Sequence, residues 1–300
     1  MITTVVTMQM RYLKKKYLLL AVAPALIGLG GCLFISSQAE ADSAVAQIET
    51  AQGETTTAAS EVNTAALADV LATYVDEQGL VDYDSLQANR QQLDAYNASI
   101  QLTSQASFDS WSEPEQIAFL INAYNSLTLK SIIDQSPIKD SIKDITGVWR
   151  FKKHGLLGAE QTLNNIEHDI LRKNYNEPRI HAALVCAALS CPYLRQEPFT
   201  GDNLEAQLDD QVRIFLSRSE VLEIDAANGE VKLSSIFDWF TGDWATSFTP
   251  EEGFSGSDDE RAVLNFISGY LDAADADYLK TGDYKIRYSD YDWSLNRPES

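Results

Sequence analysis

The chain is short of positive charge: 23 lysines and arginines stand against 44 aspartates and glutamates, a net charge of −21 over 300 residues. Binding to a polyphosphate backbone depends on cationic side chains displacing counterions, so no nucleic-acid partner is expected. Cysteine is scarce too. With only Cys32, Cys186 and Cys191, a multi-bridge disulfide scaffold is excluded and a packed core must hold the fold. The histidines are limited to His154, His168 and His181, so the reactive inventory is small. What is present is apolar material, 45% of the residues with 10% aromatics. That rules out collagen-like and wholly disordered chains and suffices for one large domain or two small ones.

The few cations that cluster do so at the start. Arg11, Lys14, Lys15 and Lys16 precede an apolar run from Tyr17 to Ile35, broken by Pro24, Gly28, Gly30 and Gly31. This pattern predicts a signal peptide over residues 1–41. Leu29-Gly30-Gly31-Cys32 has the look of a bacterial lipoprotein box with cleavage before Cys32, while Ala39-Glu40-Ala41 fits ordinary signal peptidase. An uncleaved anchor fits less well, because the run is barely long enough to span a bilayer and carries four helix breakers. Residues 42–64 are rich in Ala, Thr, Ser, Gln and Glu without aromatics, which predicts a disordered linker. The expected location is export, to the periplasm or to the outer membrane as a bacterial lipoprotein.

Residues 65–300 read as a single α+β domain, helix-rich around a small, mostly antiparallel sheet. Leu67, Val70, Leu71, Tyr74 and Val75 recur at helical spacing before Gly79, and a second helix is predicted over Ser85–Tyr96. Ser112-Glu113-Pro114-Glu115 is a capping box before the stripe Ile117, Leu120, Ile121, Tyr124, Leu127 and Ile132, the strongest helix signal in the chain. Val148–Phe151 predicts a short strand turning at Gly155. Asn164–Glu167 opens a helix carrying His168 and Arg172 one turn apart. Ile180–Cys186 reads as a buried strand. Further on come a helix over Leu204–Leu216, a hairpin turning at Asn228-Gly229, a helix capped by Ser257-Asp258-Asp259-Glu260 and a strand over Lys285–Tyr288.

The candidate chemistry gathers in the middle of the chain. In the Ile180–Cys186 strand, His181 and Cys186 would face opposite sides, and Cys186 reads as a small buried hydrophobe. Cys191, just beyond the strand end, is the candidate nucleophile, with His168, next to Glu167, or His181 as its base. A Cys186–Cys191 disulfide is the rival, if the turn brings the Cα atoms within about 7 Å. Four ligands from Cys186, Cys191, His168 and His181 make only a loose metal set, so neither metal nor cofactor is expected. Asn122 and Asn125 sit in an otherwise apolar helix, either bracing a loop or serving the site, Asn122 as orienter of a histidine. Arg172, Arg179, Asn125 and Trp149 are candidates for holding substrate. His154 is expected in an exposed turn.

Several blocks together resemble the family DUF547: Ala118–Asn125 (AFLINAYN), Thr162–Arg172 (TLNNIEHDILR), Arg179-Ile180-His181 with Cys186–Arg195 (CAALSCPYLR), Ile236–Phe240 (IFDWF) and Tyr291–Asn296 (YDWSLN). The resemblance implies no known activity. It marks Asn122, Asn125, Glu167, His168, Arg172, Arg179, His181, Cys186, Cys191 and Pro192 as positions of its signature blocks. A kinship to papain-like or transglutaminase-like thiol folds is analogy only, since His168 precedes Cys191 here.

Two functions follow as expectations. One is an exported thiol-dependent hydrolase or acyl transferase with Cys191 as nucleophile. The other is a non-catalytic envelope binding module whose groove is lined by Trp149, Trp239, Trp244 and Tyr291. Either takes a small-molecule or peptide ligand. A monomer is expected, with membrane attachment only through an N-terminal lipid anchor.

Overall fold

Helix α5, Glu113–Ile133, is buried on almost every side from Ile117 onward, its polar Asn122, Asn125 and Ser126 included, and Leu120, Ile121 and Ile132 are wholly excluded from solvent. The computed structural model describes residues 61–298; the leader and most of the linker expected before Thr64 lie outside the described residues. Around α5 pack α1 (Thr64–Tyr74), α2 (Tyr83–Ala88), α3 (Gln91–Leu102) and α4 (Gln105–Asp109). The single helix expected over Ser85–Tyr96 is therefore two. The Asn89 amide donates to Ser85 O and ends α2, while Arg90 turns to pair with Asp94 and Asp134.

Beyond α5, Val148–Phe151 forms a turn instead of the expected strand. The strands are β1 (His154–Leu156) and β2 (Ala159–Gln161), joined through Leu157 and Gly158 at φ 53° and 72°, the left-handed pair that a tight hairpin requires. His154 is consequently 6% exposed and lies near the Ser131 hydroxyl, a correction to the exposed turn expected for it. Thr162 and Asn165 then cap each other, since Asn165 N–H donates to Thr162 Oγ1 and Thr162 N–H to Asn165 Oδ1. The segment they open, Asn165–Leu171, is π-helical and continues into one α-turn, Arg172–Asn174.

The strand expected over Ile180–Cys186 is absent. Residues Pro178–Ala182 form a 3₁₀ turn, capped by Glu177 on Arg179 N–H, and the chain continues irregularly through Cys186. Two of the backbone polar groups that a sheet would have satisfied are taken by one side chain: Asn125 Nδ2 donates to Ala183 O, and Val185 N–H donates to Asn125 Oδ1.

The later half supplies α6 (Leu204–Leu216), β3 (Leu222–Asp225), β4 (Glu230–Leu233), α7 (Ser235–Trp239), α8 (Gly242–Phe248), α9 (Asp258–Ser268), α10 (Ala273–Thr281) and β5 (Lys285–Tyr288). The hairpin turns at Asn228-Gly229 as expected, with Gly229 at φ +64°. β5, however, runs parallel to β4. The mostly antiparallel sheet is thus two small sheets, one of them mixed, and the class is helix-rich α+β. Two apolar clusters result, one around α5 and one joining α6, α7, α9 and the three-stranded sheet. Among the described residues no helix is long and apolar enough to cross a membrane.

Candidate functional site

A cavity of about 290 Å³ opens between the two clusters. Its walls include Tyr124 of α5, Trp149 and Arg150 of the turn before β1, Glu167 and His168 of the π-helical segment, and Ile236, Trp239 and Phe240 from α7 and its end. His181, Cys186, Cys191, Tyr291 and Trp293 complete it. A π-helical turn is a common device for aiming side chains at a functional site. Here it presents the adjacent Glu167 and His168 to the same space.

One ionic chain crosses between the clusters. Arg172 grips Asp243 with two donors, Nε at 2.6 Å and an Nη at 2.8 Å, while His181 Nε2 lies 2.7 Å from Asp243 Oδ2. The other Nη of Arg172 lies 2.7 Å from His168 Nδ1. A guanidinium only donates, so His168 Nδ1 accepts and the proton of the neutral ring sits on Nε2. By the same reasoning His181 donates from Nε2 to the carboxylate, which leaves its Nδ1 as the acceptor. His181 stacks on Phe240 at 4.2 Å, and the Arg172 guanidinium lies over the same Phe240 ring, 4.7 Å from its centre.

Charge states follow from these surroundings. Burial pushes the Glu167 carboxyl up, with the Tyr124 hydroxyl and the Arg172 charge among the groups that oppose it. Burial alone would raise Asp243, but His181 and Arg172 hold it well below the usual carboxylate range. Burial lowers His181, against the pull of Asp243. A raised acid next to a depressed one, a few residues from imidazoles, is the kind of separation that acid–base sites show.

The two sulfurs are joined. Cys186 and Cys191 form a disulfide with Cα atoms 6.2 Å apart, so the expected rival arrangement is the one found. Cys191 is 2% exposed and not at an open sheet edge, and Cys186 is the more accessible of the two. Because no strand forms, His181 and Cys186 do not face opposite sides; both line the cavity. Tyr291 O–H donates to Cys191 Sγ at 3.1 Å, and Cys186 N–H donates to it at 3.0 Å.

Among the expected site residues, the structure brings Cys191, His168, Glu167, His181 and Trp149 to one cavity. It places the others elsewhere. Asn122 Nδ2 donates to Phe199 O and its Oδ1 accepts from Phe199 N–H, bracing a loop; Asn125 braces the chain after His181 as described. Arg179 is held by Glu177, Glu205 and Asp209, and Arg195 by Glu197 and Asp210. Arg172 does not line the cavity and reaches it through His168, through the Phe240 ring and, by way of Asp243, through His181. The cation that lines the cavity is Arg150, which sequence reasoning missed along with Asp243. Trp244, expected in a groove, is 1% exposed and belongs to the second core.

Residues 108–216 match DUF547, a protein family of unknown function. The resemblance expected from the sequence blocks thus holds over that stretch. No curated protein and no solved structure matches the chain. The DUF547 match takes in Glu167, His168, His181 and both cysteines of the cavity. It stops short of Asp243 and of the lining residues Ile236, Trp239, Phe240, Tyr291 and Trp293, so a third of the cavity wall comes from chain beyond the DUF547 stretch.

Proposed function

We propose that this cavity is a binding cleft for a small ligand with a flat or apolar body and a carboxylate or similar anionic head. The observation that carries the reading is an uncovered aromatic wall. Trp239 is 46% exposed, stacks at 5.9 Å on Trp293 and lies 4.8 Å from Tyr291. Ring faces of this kind gain most when a flat partner takes them out of water. Arg150 at the rim and the His168 Nε2–H supply donors for an anionic head in a molecule otherwise dominated by carboxylates.

Titration of tryptophan fluorescence with phenylacetate and phenylacetamide tests this. Saturable quenching is expected, weakened about tenfold or more by Trp239→Ala, a loss near 1.4 kcal/mol. Arg150→Ala should weaken phenylacetate and leave phenylacetamide unchanged, and Cys191→Ser should bind normally. Quenching that never saturates, or that ignores Trp239→Ala, overturns the reading.

A second reading, thiol-dependent hydrolysis or acyl transfer, is favoured by the meeting of Cys191, Glu167, His168 and His181 at one cavity. It applies to the reduced protein. Cys191 Sγ would attack the acyl carbonyl, His181 with Asp243 behind it would take the thiol proton at Nδ1, and His168 Nε2–H would donate to the developing oxyanion. Of the two histidines expected as alternative bases, this reading takes His181 as the base and makes His168 a donor. A burst of p-nitrophenol from p-nitrophenyl acetate, lost in Cys191→Ser at unchanged melting temperature, supports this reading; an identical burst in the variant removes it.

Export to the envelope belongs to the same proposal. It is supported by the leader-like composition of residues 1–41 and by the Cys186–Cys191 bridge, since bacterial cytosol keeps thiols reduced. The mass of the mature protein distinguishes lipidated Cys32 from an amino terminus at Asp42.

A further inference from the structure

The disulfide in the cavity wall is asymmetric. Cys186 is partly accessible, whereas Cys191 is buried and its sulfur already receives the Cys186 N–H and the Tyr291 O–H. Behind it stands a buried cation: the Arg218 side chain, 7% exposed, donates to Cys191 O at 2.6 Å and Leu189 O at 2.9 Å, and is paired only at Nε, with the exposed Glu220. Its positive potential reaches the Tyr291 hydroxyl. The intervening loop is also strained, because buried Ala187 sits at φ +62°, a conformation that costs an L-residue roughly 1–2 kcal/mol. Strain of this sort persists where the surroundings over-determine it, commonly at functional sites.

We infer that Cys186–Cys191 is an exchangeable disulfide that accepts two electrons from a dithiol entering the cavity. A substrate thiolate attacks Cys186 Sγ, a substrate–Cys186 bond forms, and the Cys186–Cys191 bond breaks with its electron pair leaving on Cys191. The two donors and the Arg218 charge are in place where that negative charge appears. The substrate's second thiol, deprotonated, then attacks the mixed disulfide at the substrate's own sulfur and releases Cys186 as a thiolate. The dithiol leaves as a disulfide, and two cysteine thiols, protonated from solvent, remain. The leaving-group ability of the buried sulfur sets both the direction and the site of attack. The groups facing Cys191 are Tyr291, with Glu167, His168 and His181 lining the same cavity and Arg218 behind the loop.

The test uses the full chain with Cys32→Ser, so that only these two sulfurs report. The oxidised protein is exposed to dithiothreitol or to 2-mercaptoethanol, acid-quenched, alkylated with iodoacetamide after brief denaturation, and resolved by peptide mass spectrometry. The expected product with 2-mercaptoethanol is an adduct on Cys186 and an alkyl group on Cys191. An adduct confined to Cys191, or reduction by dithiothreitol slower than that of a cyclic Cys-Ala-Ala-Leu-Ser-Cys peptide, overturns the proposal. Tyr291→Phe acts as the positioning control. It should slow exchange about tenfold and raise the thiolate titration of Cys191, followed by absorbance at 240 nm in reduced protein that also carries Cys186→Ser. In that protein the titration is expected below the ordinary thiol value of about 8.5; a midpoint at or above it, unmoved by Tyr291→Phe, also overturns the proposal. Neither readout depends on acyl chemistry or on a cleft ligand.

Discussion

The cluster around α5 is made of helices whose signals are local, while the second cluster is made of short elements that depend on one another. In the first, Ile117, Leu120, Ile121 and Tyr124 share one long helix, so local geometry sets their spacing and the neighbouring helices cover them. In the second, Val231 of β4, Phe237 of α7, Trp244 of α8 and Leu264 of α9 come from four elements of 11 residues or fewer. The DUF547 match covers most of the first plan and little of the second. The stretch that matches DUF547 supplies the reactive groups, and the chain beyond it supplies Asp243, which orients them, and most of the aromatic cover. The cavity's chemistry is a joint product.

The largest expected effect comes from cutting each core. Leu120→Ala and Leu264→Ala, both at fully buried positions, should each cost about 3 kcal/mol. If the clusters unfold as one unit, calorimetry shows a single transition lowered in both variants; two separated transitions would break the comparison into independent bodies. Asp243→Asn follows, with a loss of about 2–3 kcal/mol from the Arg172 fork and the His181 contact. Because Asp243 is held below its ordinary range, the stability it gives is present above the unfolded carboxylate value and lost as pH falls through the folded one. The variant should therefore flatten the acid limb of an unfolding-versus-pH curve, and an unchanged limb would deny Asp243 its bridging role.

His154 sharpens the comparison from inside the first cluster. Burial, aided by the positive Lys152 and Lys130, holds its imidazole down to about 4, against Asp134. The unfolded chain takes up this proton near 6.5, so stability is lost as pH drops from there toward 4, by on the order of 2 kcal/mol between pH 7 and 5. His154→Gln should remove that slope in denaturant titrations at the two pH values. The smallest stability effect is expected at Trp239→Ala, under about 1 kcal/mol because the ring is nearly half exposed, although the same change should weaken ligand binding most.

How much of this was legible depends on how local its cause is. Both capping boxes were readable because the partners are three residues apart: Glu115 accepts from Ser112 N–H and Glu260 from Ser257 N–H. The Asn228-Gly229 turn was readable for the same reason. The approach of His168 to Arg172 came from helical spacing, though the helix proved π-helical. The Ile180–Cys186 segment misled because an apolar run announces burial and not its backbone partner; the partner was Asn125, nearly sixty residues earlier. Asp243 carried no local mark at all, since its meaning lies in Arg172 and His181. Arg172 and Arg179 read as available to substrate, yet Arg172 is held by the distant Asp243, and Arg179 both by its neighbour Glu177 and by Glu205 and Asp209, which folding brings from further along the chain.

The segment from Asp292 to Asn296 shows what such distance implies for the order of events in folding. Ser190 N–H donates to Asp292 O, Leu189 N–H to Ser294 O, and Asn296 N–H to Ala187 O, while the Tyr83 hydroxyl donates to Asn296 Oδ1 across 213 positions of sequence. Closing spans of that size must wait for the intervening chain to be ordered, and contacts of long range slow a folding reaction. Tyr291 and Trp293 are therefore expected to reach the cavity late, and pulsed hydrogen exchange on the amides of 187–190 would check it. Before they do, the Cys186–Cys191 loop lacks its cover, so an emerging chain would pass through a period in which its two sulfurs are open to whatever oxidant or thiol is at hand.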